Sequence, residues 1–411
     1  MNSQSIGQDP GQPRSRLSTS EVALLVVVII GSLLMLLNLS WGHVVGQVMV
    51  WGTVFAVMVP GFLCAARIRV LYVTCGELVI LMLTLALWRF LSAYWAVDPQ
   101  GVFLQAVKTL VLCAFIVSVA SIVGRMSPES LRRFVHIMVP VLLYATVLHV
   151  VVSLAHKSAW HLIWQEAGKG IIITAWGTIN TAGAIVMMIG CLNWILMLDR
   201  DMRMRRVGWI MWAVSWALLI AMRCRSSQAG FLLSNVAVLM MISCDRRRRA
   251  LISLLCAIGM IGATMMFQTN QVALNERALS LHGRTVLFRA AVTTIVGQYG
   301  LVGIGSGSWD AFAAFQGLGS VILPTDHVSG ELIRGGVHNA LLQTWMEDGF
   351  IGLIVYLGVH LLSWRRVRCA QRRPRTQSTI PLCGFLTAVF VRNLAESNGV
   401  LFGLINNSAV F

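Results

Sequence analysis

His338 and Asn339 stand at the edge of a polar knot, Gly335-Gly336-Val337-His338-Asn339, and directly after them the chain turns apolar for more than a helical span. An imidazole titrates near about 6.5, so His338 has the chemistry of a general base at neutral pH. Its place is a water–membrane boundary, where a lipid-linked substrate and a soluble group can meet. A set of arginines supplies the complementary chemistry: Arg89, Arg223, Arg225, Arg277, Arg284, Arg289 and Arg334. They fall in segments that the topology below places on the outer side or at a span's outer end. There the loop-charge bias of membrane proteins does not predict them. Arginine at such a place must face protein, water or an anion. Its planar fork matches a phosphate at two points. Together these residues point to a phosphate or diphosphate on a lipid.

Each residue also has a plainer reading. A single arginine can snorkel to the interface or pair with Glu276, Asp310, Asp326 or Glu331. A lone histidine at a helix start is more often structural than catalytic. His43, His149, His156, His161, His282 and His327 also lie on or near the outer side, and spacing alone does not select His338 from them. No HxxxH or HExxH spacing supports zinc. Gly303-Ile304-Gly305-Ser306-Gly307 is a permissive turn that lets backbone approach a ligand. No strand pattern precedes it, so a nucleotide-binding reading lacks its context.

The elements that must position these residues are membrane helices. Apolar residues make up 57% of the chain and charged residues 12%, half the charge of a soluble domain. The net charge of +16 is almost all arginine, with lysine only at positions 108, 157 and 169. Collection of positive charge in cytoplasmic loops accounts for it, so nucleic-acid binding is not expected. The nine cysteines fall mostly in apolar runs and form no CxxC pair, as buried small apolar residues would.

The charge pattern predicts an all-α, polytopic integral membrane protein with about twelve transmembrane helices, both ends inside, and one long outer loop. Residues 1–20 read as a disordered cytoplasmic N-terminus, and the first apolar run as a retained span. Helices 1 to 9 fall within 21–267, near 22–38, 44–64, 77–95, 103–123, 134–154, 173–198, 207–222, 228–243 and 250–267. Residues 268–338 form the outer loop, with short helices expected in ALNERALSL and GRTVLFRAAVTTI. Helices 10 to 12 fall within 339–411, near 341–362, 380–396 and 399–411. Lys and Arg gather at every inner loop of this arrangement. No internal repeat is present, which disfavours an inverted-repeat transporter.

With these residues in place, the chain resembles the O-antigen ligase family and its polymerase-related domain. His338-Asn339, Leu342, Glu347, Gly349, Gly352 and Leu353 are similar to its HN-x-x-L…E-x-G-x-x-G-L pattern. Gly283-Arg284 followed by Gly303, Gly305 and Gly307 forms a second block, and Arg225 at a span's outer end a third. Phe288 stands where the family often has Trp, and Ile179-Asn180 where it often has Pro-Asn. The resemblance implies a C-type glycosyltransferase-like fold in the bacterial inner membrane with a periplasmic active site. It implies metal-independent, inverting transfer of O-polysaccharide from undecaprenyl diphosphate to a sugar hydroxyl of lipid A–core, with no cofactor. His338 would be the base. Arg225 and Arg284 would hold the diphosphate, with Arg289, Arg334, Arg89 and Asn339 as further substrate contacts. Glu347 and Asn339 read as orienting or structural. An O-antigen polymerase or a ligase that glycosylates protein uses a similar donor. A transporter or flippase would instead show ionisable residues at mid-span, a discontinuous helix or repeats.

Overall fold

The computed structural model describes residues 68–123, 128–156, 179–222, 224–242, 248, 288–309, 311–312, 339–371 and 379–395. These are helices and short turns, with no strand among the described residues. In chain order the helices are α1 (Ile68–Ser92), α2 (Pro99–Val123), α3 (Pro128–His156), α4 (Ile179–Met197), α5 (Met202–Met222) and α6 (Arg225–Ile242). Residues 288–294 form α7, which runs into a π-helical turn at Ile295–Tyr299. Then come α8 (Ala340–Gln371) and α9 (Thr379–Ala395). The predicted spans 3 to 8, 10 and 11 each coincide with one of these helices. Spans 1, 2, 9 and 12 lie outside the described residues. Among the described residues, two helical stretches are long and apolar enough to cross a membrane, Pro99–Ser118 and Ala340–Cys369. Shorter apolar helices cover Gly183–Met197, Ser226–Ile242 and Ile380–Leu394.

Local sequence explains the helix ends. Asp98 accepts the backbone N–H of Gly101 at 3.0 Å, and Pro99 follows it as the first helical residue of α2. An acceptor at the cap and a residue without an N–H at the next position leave few unsatisfied donors. At the other end of the bundle, Arg132 of α3 donates Nε to Asp199 Oδ2 at 3.0 Å and pairs with Oδ1 through Nη2. His136 Nε2 lies 2.7 Å from the same carboxylate. Burial opposes the charge on Asp199. The Arg132 hydrogen bond, the Asp201 N–H and the His136 and Arg132 charges outweigh it and hold the carboxyl below its ordinary value. A carboxyl depressed on folding stabilises above its unfolded pKa and stops doing so as pH falls through the folded value. Wild type should therefore lose its stability advantage over Asp199→Asn as pH drops below about 4. Above that the advantage is under about 1 kcal/mol, since Arg132 is half exposed. Thermal unfolding in detergent at pH 3 to 7 measures it, and a pH-independent difference contradicts it.

Packing places α9 at the centre, against α6, α4 and α8; α8 in turn packs on α1, which pairs with α2, and α4 pairs with α5. One core joins Val186, Met187, Cys191, Leu219, Phe231 and Ala388. Phe231 stacks at 4.8 Å on Trp216, and an amide is satisfied inside this layer. Asn235 Oδ1 accepts the indole N–H groups of Trp194 at 2.6 Å and Trp212 at 2.9 Å. The outer faces remain apolar, with Leu87, Leu91, Phe103, Ile210, Ile220, Ile354 and Leu361 exposed. Charged groups meanwhile lie within: Arg89, Lys108, Glu347, Asp348, His360 and Arg392 are buried. Among the described residues, large apolar side chains are thus exposed while several charged groups are buried.

Candidate functional site: a broken helix seated on a glycine turn

The apolar run after Asn339 folds as α8, and Asn339 caps it. Asn339 Oδ1 accepts the Leu342 N–H at 3.0 Å, and its carbonyl accepts the Gln343 N–H at 2.9 Å. Its side-chain Nδ2 donates to the Leu394 carbonyl at 3.0 Å and so fastens the start of α8 to the end of α9. This one amide therefore both caps α8 and tethers it to α9.

Ten residues on, α8 breaks. Gly349 has φ 70° and ψ −170°, outside the helical region. A break of this kind strips carbonyls of the preceding turn of their partners four residues on. The glycine turn replaces them. Ile304 N–H donates to Met346 O and Gly305 N–H to Glu347 O, both at 2.9 Å, and Trp88 Nε1 donates to Asp348 O at 2.7 Å. Below the break, the Phe350 N–H finds Gly300 O at 3.0 Å and Leu301 O at 3.1 Å. Trp345 and Trp95 cap the turn's own carbonyls, at Gly300 O (2.9 Å) and Gly303 O (3.0 Å). The seam is thus held by hydrogen bonds between segments distant in the chain.

Gly303, Gly305 and Gly307 all have positive φ, as the sequence pattern predicts for a permissive turn. The backbone that approaches this turn is the chain's own. A Cβ on Gly303 would lie 2.2 Å from Glu347 O, and one on Gly349 would lie 2.3 Å from Leu301 O. The close approach is thus between residues 300–307 and 346–350. The Glu347 carboxylate also enters the turn: Oε2 accepts the Gly307 N–H at 3.0 Å and Oε1 accepts Gln343 Nε2 at 2.7 Å. Residues 288–312 therefore pack on α8, with Ala291, Ile295, Ile304, Trp309, Phe312 and Met346 sharing a core and Phe288 against it. ALNERALSL lies outside the described residues. GRTVLFRAAVTTI is helical from residue 288.

Of the predicted site residues, His338, Arg284 and Arg334 lie outside the described residues. Arg225 opens α6, and its side chain is likewise not described. The tip preceding it is tight: Cys224 is buried with its thiol on Ser227 Oγ at 3.2 Å. Gln228 Nε2 spans back to Leu219 O at 2.7 Å. Arg289 is exposed on α7. Arg89 has an internal partner. Its Nε and Nη2 bind Asp348 Oδ1 and Oδ2 at 3.1 and 2.7 Å, and its Nη1 donates to Thr109 Oγ1 at 2.8 Å. The sequence signal for Asp348 is two adjacent carboxylates before a glycine in an apolar run, Glu347-Asp348-Gly349.

The charges expected only at span ends and in loops also occur within helices. Lys108 is buried in α2, and His360 and Arg392 in α8 and α9. Near the last, Asn393 Nδ2 donates to Tyr356 Oη at 2.7 Å, and the Tyr356 and His360 rings lie 4.7 Å apart. Among the described residues no group of His, Cys, Asp or Glu has the arrangement a metal ion needs. In comparison with known proteins, no family model matches the chain and no curated protein matches it.

Proposed function

We propose that this chain is an integral membrane glycosyltransferase of the O-antigen ligase type, with twelve spans and its active site on the periplasmic face of a bacterial inner membrane. It transfers O-polysaccharide from undecaprenyl diphosphate to a sugar hydroxyl of lipid A–core. The observation that carries this reading is the contact between two blocks of the resemblance. Gly303, Gly305 and Gly307 lie about forty residues from the HN-x-x-L…E-x-G pattern, yet Gly305 and Gly307 donate to the backbone and side chain of Glu347. A pattern shared by chance has no reason to close on itself in this way. The inside-out distribution of charged and apolar side chains supports the membrane setting.

In this mechanism the acceptor hydroxyl attacks the anomeric carbon of the donor sugar. A new C–O glycosidic bond forms as the bond to the diphosphate breaks, and the carbon inverts. His338 takes the hydroxyl proton. The electron pair leaves on undecaprenyl diphosphate, whose charge Arg225 and Arg284 stabilise, with Arg289 and Arg334 contributing. Asn339 and Glu347 hold the backbone that carries the base.

His338→Ala, Arg225→Ala and Arg284→Ala, each inserted in membranes, test the assignment by attachment of O-polysaccharide to lipid A–core. Loss of a general base costs on the order of a hundredfold or more, so near-normal ligation by His338→Ala sinks the base. Full activity in EDTA is expected. Deletion in cells separates ligase from polymerase: bare core marks a ligase, and shortened polymer marks a chain-elongating enzyme.

One observation favours a second reading. A helix broken at Gly349 beside Glu347 and Asp348, with Lys108 and His360 buried in neighbouring segments, has the signature expected of a transporter. Transfer by purified protein in detergent, where no compartments exist, supports the enzyme. Movement of a labelled lipid diphosphate across proteoliposomes without transfer supports the transporter.

A further inference from the structure

From Phe288 to Trp309 the sequence carries one charged residue, Arg289. The helical part of this stretch, Phe288–Gly297, is apolar. Ala291 and Ile295 are buried in the core they share with Met346 of α8. Val292 and Val296 are exposed, Val296 at 78%. A surface helix of a soluble protein carries polar residues opposite its core side. Here the exposed side is apolar as well, and a helix apolar all round is enclosed by protein or by lipid. The exposed apolar side continues past the π-helical turn into Leu301, at 72%, and Val302. The Phe350 N–H donates to Gly300 O and Leu301 O, which brings Phe350 of α8, itself exposed, to the same place.

Helix α8 gives the depth of this patch. Trp345 to Trp364 is 20 residues, the length of helix that crosses about 30 Å of hydrocarbon. The exposed Arg365 and Arg366 follow Trp364 directly. Tryptophan favours the two membrane–water interfaces, and basic residues collect beyond one of them. Phe350 is 5 residues inward from Trp345, about 7 Å along the helix. Gly300 O and Leu301 O accept its N–H at 3.0 and 3.1 Å, so the turn sits at the same depth. Irregular backbone is tolerated there only where protein supplies its hydrogen-bond partners. Ile304, Gly305 and Trp88 donate to the carbonyls of Met346, Glu347 and Asp348, and Trp345 and Trp95 to those of Gly300 and Gly303.

We propose that residues 292–302 enter the hydrocarbon layer from the Asn339 side as a re-entrant segment, with Val292, Val296, Leu301, Val302 and Phe350 as a surface for the acyl chains of bilayer phospholipids, an inference that rests on the membrane setting proposed above. This part of the segment expected as an outer loop then lies in the bilayer. Arg289 is 7 residues before Val296, about 10 Å of helix, which leaves its long side chain within reach of the head groups.

The test uses the wild-type full chain in proteoliposomes of phosphatidylethanolamine and phosphatidylglycerol. One sample is doped with a phospholipid carrying a diazirine midway along an acyl chain, and a second with one carrying it on the head group. After irradiation, mass spectrometry maps the adducts to residues. Leu83, exposed within α1, is the hydrocarbon reference, and Met202, exposed where α5 begins, is the aqueous one. The acyl-chain probe is expected to label Val296 and Leu301 within about threefold of Leu83, and Met202 about tenfold less. If Val296 or Leu301 falls below about a third of Leu83, that surface faces water or another protein surface, and the proposal is overturned. Stronger labelling of Leu301 by the head-group probe than by the acyl-chain probe also overturns it, because the segment then lies on the membrane surface. If Leu83 is labelled no more than Met202, the membrane setting has itself failed, and the proposal falls with it.

Discussion

Alanine at Gly303 is expected to destabilise the protein by more than about 3 kcal/mol, although it adds one methyl group. Two costs add. Gly303 has φ +77°, a region where an L side chain costs about 1 kcal/mol or more. The new Cβ would also sit 2.2 Å from Glu347 O, 2.5 Å from Gly349 N and 2.6 Å from Glu347 C. All three are backbone atoms of the seam, so no side chain can rotate to make room. Either the turn lifts away and strands the carbonyls of Met346 and Glu347, or α8 gives up its break. Gly349→Ala meets the mirror-image obstacle at Leu301 O, 2.3 Å, and should cost a similar amount. Gly297→Ala is the control, since its Cβ would meet nothing within 4 Å. Thermal unfolding of the purified protein in one detergent compares them. A Gly303→Ala midpoint level with that of Gly297→Ala would show that the seam is not formed as described.

Asp348→Ala should cost about 3 to 5 kcal/mol, for an electrostatic reason. The carboxylate is almost inaccessible, and it accepts from two of the Arg89 nitrogens. Its removal takes away the carboxylate that faces the buried Arg89 guanidinium and leaves that charge uncompensated by it. Arg89→Met/Asp348→Leu removes both charges together and should recover most of that loss, because the desolvation penalty goes with them. Double-mutant comparison in denaturant therefore gives a large coupling energy between the two positions. Purely additive losses would contradict the pair. Arg366 and Glu77 serve as reference: their contact is 3.1 Å but about half exposed, and its coupling should stay under about 1 kcal/mol.

How far these features were legible in the sequence depends on the range of the interaction behind each. The helices α1 to α6, α8 and α9 follow from apolar runs interrupted by charge, which are local. Asn339 as a cap and Gly303, Gly305 and Gly307 as a turn with positive φ are local too, because one residue's own conformational freedom decides them. The identity of the turn's partner is not local. An apolar run containing Glu347-Asp348-Gly349 reads as one continuous span until residues 300–307 take over the carbonyls that a break exposes. For the same reason Arg89 reads as an outer-face arginine open to an anion. Asp348 lies 259 positions along the chain from it, and no periodicity connects them.

By itself, then, the sequence determined the helical class of the described residues, the punctuation at Asp98-Pro99 and Asn339, and the residue types fit for base and phosphate chemistry. These depend on hydropathy, capping and intrinsic pKa, which travel with the residue. Only the tertiary structure decided that α8 is broken at Gly349, that the glycine turn receives the break, and that Arg89 is held by Asp348. Each of those is a matter of satisfying buried polar groups between segments distant in the chain. In an apolar interior every such group must find its partner within the protein, and which partner it finds is settled only when the helices pack.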